Sequence, residues 1–329
     1  MATTQAMTIH SESPPAPSRP KRRRRAGAFG ILFAGLSTAA PAMAQVHPEG
    51  ARRAVFSSRA ELVLVPVTVT DSMGATVNGL PKDVFSLSEN RVTRPIAAFS
   101  ERDEPVSLGI VFDASGSMKN VSGAARTALR TFVQACNPDD EALLDVVSTQ
   151  PRHISGFTAD FGTLLDAVAR EEPGGDTALV DGVYDGLREL RRASHARRAI
   201  VVISDGMDNH SRRSKKELMD MALESGAQIY AVSLFVPRLN EKPIEIAEAQ
   251  RGLAFLSDIA EKTGGMHIVV RAPVDLDPAA DRIGRAIRNQ YVIGYVPASS
   301  KGDRRWRSIR VHVSVPGARV YARSGYRDE

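Results

Sequence analysis

Between Pro105 and Asn289, continuous apolar runs alternate with amphipathic segments, and that alternation leaves the chain few folds to choose from. The strand-like runs are "VSLGIVF", "EALLDVVST", "RAIVVIS", "AQIYAVSLF" and "MHIVV". Helical patterning falls near 121–136, 161–170, 178–192, 214–225, 252–262 and 276–289. Several of the apolar runs lack the two-residue alternation of a strand with one wet face, so both their faces must be covered. Strands of that kind alternating with helices predict an α/β fold, a doubly wound and mostly parallel sheet spanning 105–290. Such sheets bind ligands in the loops beyond the carboxyl ends of their strands.

β-type sequence lies on both sides of this unit. Before it, "ELVLVPVTVT" carries Leu62, Leu64, Val67 and Val69 at close to a two-residue period, and "DSMG" follows as a turn. "DVFSLSEN" and "RPIAAFS" read as two further strands. After it come "YVIGYVP", "WRSIRVHVSV" and "RVYARSGY". Neither flank is large enough for a core of its own. The economical expectation is one small β-sandwich-like module, with 291–329 pairing with 60–104; two separate extensions are the alternative.

The N-terminus reads as an export signal over 1–44. "RPKRRRR" precedes an apolar stretch from Ala26 to Ala40, and Ala42, Met43 and Ala44 supply small residues for cleavage. An uncleaved anchor or a basic tail is the other reading. A linker and the first β segment then occupy 45–104. The formal charge of +5 resides in this leader, because the rest of the chain holds 37 basic and 37 acidic residues. A neutral body offers no electrostatic attraction for nucleic acid or an anionic membrane. Cys136 is the single cysteine, so no intrachain disulfide forms, and its place in an apolar helical pattern makes it a structural thiol. The expected location is periplasmic or secreted.

The chemistry-bearing residues fall at the ends of the apolar runs. In "LGIVFDASGSMKN" the first α/β strand stops at Asp113, and Ser115 and Ser117 follow two apart around Gly116. "PGGDTAL" places Thr177 in a glycine-rich loop ahead of a helix, and "IVVISDGMDN" ends a buried strand at Asp205. All five side chains are hard oxygen donors, the ligand type that Mg²⁺ selects, with Mn²⁺ or Ca²⁺ as alternatives. A lone DxSxS is equally well a helix cap; Thr177 and Asp205 in register argue for a metal. His153, His195 and His267 lack metal-ligand spacing. Asp208, Asn209 and His210 read as a polar turn or as part of a recognition rim, and Asp176 as an exposed loop charge or a brake on acidic partners.

These motifs resemble the von Willebrand factor A domain, whose metal-ion-dependent adhesion site follows the pattern DxSxS…T…D. With the flanking β segments, residues 60–327 resemble a bacterial group of secreted proteins carrying that domain. The resemblance implies that Ser115 and Ser117 bind a divalent cation directly and Thr177 directly or through water. Asp113 and Asp205 would act largely through water. It also implies a non-enzymatic adhesion role, in which an acidic residue of a protein partner completes the coordination sphere. By the same analogy, the helix near 276–289 would shift as partner and cation bind. Two other readings stand beside it. One is an envelope scaffold whose metal only stabilises it. The other is a metal-dependent hydrolase, which would want a second acid where Ser115 stands; the chain has no P-loop and no GxSxG elbow.

Overall fold

The chain enters through four short strands, β1 (Val63–Thr70), β2 (Phe85–Glu89), β3 (Val92–Arg94) and β4 (Ile96–Glu101). A computed structural model describes residues 62–235, 243–298 and 305–327, so the export-signal reading of 1–44 lies outside the described residues. The α/β unit follows with β5 (Val106–Asp113), α1 (Ser122–Gln134), β6 (Glu141–Val147), β7 (Pro151–Thr158), α2 (Phe161–Ala169) and α3 (Leu179–Glu189). It continues with β8 (Arg197–Ile203), α4 (Lys215–Ser225), β9 (Gln228–Leu234), α5 (Pro243–Thr263), β10 (His267–Val270) and α6 (Leu276–Arg288). The chain then returns to β11 (Tyr291–Tyr295), β12 (Trp306–Val313), β13 (Arg319–Ala322) and β14 (Gly325–Arg327).

Six strands form the central sheet in the order β10-β9-β8-β5-β6-β7, parallel except for β7. Every residue of β5 is buried, as a strand covered on both faces requires. Leu108, Ile110 and Phe112 share one apolar layer with Leu129 and Phe132 of α1 and Ile283 and Ile287 of α6. Val111, Ile200 and Val202 share the opposite layer with Leu187 of α3, Leu218 of α4 and Leu256 of α5. The sheet is therefore doubly wound, as the sequence predicts. Cys136 packs partly buried against the first layer, and burial pushes its thiol up to about 12.

The flanking strands build two antiparallel sheets, β13-β1-β11-β4 and β14-β12-β2-β3. Each draws two strands from before the α/β unit and two from after it. β1 pairs with β11 and β13, β11 with β4, and β12 with β2. Val67, Leu87, Tyr291, Ile293 and Tyr295 lie in their common core. Phe85, Phe99 and Tyr291 meet there with ring centroids 4.9–5.7 Å apart, a spacing favourable for tilted aromatic pairs. Where β11 leaves the α/β unit, buried Gln290 donates to Tyr230 Oη at 2.8 Å and to Gln228 Oε1 at 3.0 Å. Arg197 donates to Gln290 Oε1 at 3.0 Å, and Thr68 Oγ1 donates to the Ala286 carbonyl at 3.1 Å.

Three elements differ from the sequence reading. β7 is an edge strand that begins at a proline and is only half buried, so it lacks the apolar run that marks its neighbours. The segment "RVYARSGY" divides into β13 and β14, which join different sheets. α5 begins nine residues before the expected start at Gly252, which proves to lie inside the helix. A methyl group on Gly252 would sit 1.7 Å from the carbonyl oxygen of Gly206, so the glycine marks a close approach and not a helix end.

Candidate functional site

β5 and β8 run in register, with Phe112 opposite Ile203, so Asp113 and Ser204 leave the sheet side by side. The Asp113 carboxylate is fully buried and accepts from the Ser115 amide at 2.9 Å and from Ser204 Oγ at 2.6 Å. Ser204 Oγ in turn accepts from the Gly206 amide at 3.0 Å, and Asp205 accepts from the Met207 amide at 3.1 Å. Gly206 adopts φ +85°, a left-handed turn that lets the chain bend under α5. Ser115 is fully buried, and its Oγ lies 2.9 Å from Ser117 Oγ, so the two hydroxyls of the DxSxS motif share one spot.

The third loop is laced to the first two. Gly116 donates to the Gly175 carbonyl at 3.0 Å, and Gly174 donates to the Ala114 carbonyl at 2.9 Å. Gly175 takes φ +76° against Thr149, where a methyl group would lie 2.4 Å from Oγ1. Thr177 follows, 2% exposed. Its amide donates to Asn209 Oδ1 at 2.8 Å, while the amides of Asn209 and His210 donate to its carbonyl at 3.0 and 2.9 Å. Asp208 Oδ1 accepts from the Val180 amide at 3.1 Å, fastening the same loop to the first turn of α3. Asp208 and Asn209 are thus the clamp that fixes Thr177 beside the end of β8. The sequence nominated neither for that task, nor Ser204 for gripping Asp113. Asp176, by contrast, is exposed, with His210 Nδ1 3.6 Å from its carboxylate.

Electrostatics set this cluster apart. Burial first, and then the nearby Asp205 charge, raise the Asp113 carboxyl to about 7, against the hydrogen bonds from Ser115 and Ser204. Among the described residues no cationic side chain pairs with Asp113. The Thr177 hydroxyl likewise makes no hydrogen bond there, although the residue is almost wholly enclosed. The Asp113 carboxylate and the Ser115 and Ser117 hydroxyls thus gather where β5 ends, with Asp205 nearby and the Thr177 loop laced to the same edge, and all are hard oxygen donors. Among the described residues no group of three or more His, Cys, Asp or Glu side chains is placed to hold a metal, so a site richer in carboxylates or imidazoles has no candidate there. His153 instead pairs with Asp145 at 2.8 Å, and His267 lies between Ser257 and Ser233, at 2.8 and 3.0 Å.

Among the described residues no helix is long and apolar enough to cross a membrane. No curated protein matches the chain. Among solved structures, the fold is similar to an aerotolerance-related membrane protein of Bacteroides fragilis (18% identity, 55% of this chain and 98% of that chain, TM-score 0.46). It is also similar to the conserved hypothetical protein BatB of Bacteroides thetaiotaomicron (17% identity, 55% and 98%, TM-score 0.44). A von Willebrand factor type A protein of Catenulispora acidiphila covers more of the chain (14% identity, 83% and 75%, TM-score 0.47). In sequence, residues 108–207 match the family model for the von Willebrand factor type A domain, and Asp113, Ser115, Ser117, Thr177 and Asp205 all fall inside the matched segment. Within the central α/β unit, residues 108–207 thus match the von Willebrand factor type A domain in sequence.

Proposed function

We propose that the chain is an exported, non-enzymatic binding protein that docks a protein partner through a divalent cation, Mg²⁺ in the first instance, at the crest of its central sheet. Ser115, Ser117 and Thr177 would offer their hydroxyls to the ion, with Asp113 and Asp205 holding it largely through water. The observation that carries this reading is the buried Asp113 carboxylate, set close to Asp205 and without a cationic partner among the described residues. Such a charge is costly unless something neutralises it. Neutral hydroxyl ligands leave most of the ion's charge uncancelled, so an acidic side chain from outside gains by completing its coordination. In this reading both carboxylates of the cluster are engaged with the ion, which leaves neither to activate a metal-bound water as hydrolysis would need.

Calorimetric titration with Mg²⁺ tests the first half. Saturable one-to-one binding that disappears in Asp205→Ala is the expected result. Capture of partners from an envelope extract, with and without EDTA, tests the second half, and partners should be lost with the chelator. Capture indifferent to EDTA would reassign the ion to a purely stabilising role in a scaffold. Phosphatase or esterase turnover that Ser115→Ala abolishes would overturn the binding function altogether.

A further inference from the structure

A cavity of about 680 Å³ opens between the strand β12, the segment from β13 into β14, and the C-terminal end of α5. That volume is within the range of small-molecule sites, which favour such junctions. Its lining carries three arginines, Arg91, Arg310 and Arg323, against one acid, Glu261. Arg91 and Arg310 are exposed and Arg323 is half-buried. Among the described residues Arg91 and Arg310 form no ion pair or side-chain hydrogen bond. Arg323 donates from Nε to the Gly325 carbonyl at 3.0 Å and lies 5.6 Å from the Tyr326 ring, while its two terminal nitrogens bond to nothing in the described protein. Burial holds the Arg323 guanidinium below its ordinary pKa, as expected of a desolvated cation without a counter-ion.

The backbone beneath Arg91 is a separate observation. Asn90 and Arg91 form the two-residue turn between β2 and β3, with φ of +50° and +68°. A turn with both central residues left-handed favours Asn followed by Gly, and an arginine in the second position carries a steric cost. Asn90 fixes the turn to the neighbouring strand, its Oδ1 accepting from the Ser308 amide at 3.0 Å. The turn thus holds an arginine at the mouth of the cavity where glycine would be the easier residue. Arg310 stands on β12 opposite Ser88 of β2, which also lines the cavity.

We propose that this cavity binds a small anion bearing a phosphate, sulfate or carboxylate group, held by Arg91, Arg310 and Arg323. A planar guanidinium presents paired N–H donors that match two oxygens of such a group. The site is distinct from the crest of the central sheet, and its occupancy does not depend on the cation.

The test is calorimetric titration of the full chain with inorganic phosphate, sulfate and citrate in turn, at constant ionic strength set by chloride. At least one of the three should bind saturably. Each of Arg91→Gly and Arg310→Gln should weaken it about tenfold, the usual effect of losing one charge-assisted contact. Glycine accepts the left-handed turn without strain, so Arg91→Gly keeps the fold while removing the charge. EDTA and Asp205→Ala should leave this binding unchanged, which separates it from the proposed cation site. No saturable heat with any of the three anions, or variants that bind as the wild type does, would reduce the arginines to a solvated face and overturn the proposal.

Discussion

Glu89 and Asp113 are both completely buried carboxylates, and they are treated in opposite ways. Glu89, at the end of β2, is neutralised from within. It accepts from the Tyr295 and Tyr326 hydroxyls, both at 3.2 Å, and from the Ala298 amide at 2.9 Å. Arg94 and Arg307 lie 3.4 and 3.9 Å away. Asp113, at the end of β5, receives only an amide and a hydroxyl, and has a second acid for a neighbour. A buried charge that the protein answers with cations and phenols is part of the scaffold. One answered only by neutral donors is held for something that arrives from outside.

The comparison breaks most visibly at Glu89. Glu89→Ala takes the carboxylate from two arginines and two phenols inside the sandwich, and removing one member of a buried ionic cluster costs about 3–5 kcal/mol. Urea denaturation should register that loss equally with Mg²⁺ and with EDTA. A loss that appears only with the cation would mean the two regions are energetically one.

Asp205→Ala is the converse, and its effect should depend wholly on the cation. An ion present at a hundred times its dissociation constant stabilises the folded state by about 2.7 kcal/mol. Wild type should gain that in Mg²⁺ and lose it in EDTA, while the variant unfolds at one denaturant concentration in both. Asp205 is then a charge held for the ion. If the variant is strongly destabilised even in EDTA, Asp205 belongs with Glu89, and its role at the proposed cation site is wrong.

His267 shows a third way to bury a titratable group, by keeping it neutral. Its ring nitrogens face two serine hydroxyls and no acid, and burial lowers its pKa from 6.5 to about 4. As the pH falls below about 6.5 the unfolded chain takes up a proton that the folded chain refuses. The stabilisation is therefore complete above that pH and drains away as the pH drops through 4. The expected amount is about 2 kcal/mol for this partly buried ring. Chemical denaturation of wild type and His267→Gln between pH 7 and 4.5, in EDTA, should show a steeper decline in the wild type. Parallel curves would mean that the ring takes up its proton without leaving its place.

The legible and illegible parts of the sequence divide along the same physical line. Asp113, Ser115, Ser117, Thr177 and Asp205 could be nominated because each follows a recognisable boundary, where an apolar run stops or a glycine-rich loop meets a helix. The sheet was legible because short apolar runs without alternation recur between amphipathic helical segments. What supports the nominated residues was not. Ser204 reaches Asp113 across 91 positions of sequence, and no local periodicity encodes where a hydroxyl will land. Gly252 looked like the start of a helix because its purpose, contact with the backbone of Gly206, is set by a different loop. Nothing within the strand "DVFSLSEN" singles out Glu89, since its partners Tyr295, Arg307 and Tyr326 arrive from the far flank. Arg91, Arg310 and Arg323 belong to three separate stretches, and only the folded chain makes them neighbours.

The smallest expected effect concerns Asp176, next to Thr177 and so at the margin of the comparison. It is exposed, with His210 Nδ1 3.6 Å from its carboxylate, so its charge is neither buried like that of Glu89 nor withheld like that of Asp113. If an acidic partner docks on the cation, the Asp176 carboxylate repels it across a few ångströms of salt solution, where exposed charges interact weakly. Asp176→Asn should therefore tighten partner binding only about twofold to threefold, more at low salt than at high, and leave Mg²⁺ affinity nearly unchanged. A titration that shows the cation itself binding tenfold more weakly would place Asp176 within the ion's own field, and the charge held back at the crest would then be shared by three acids instead of two.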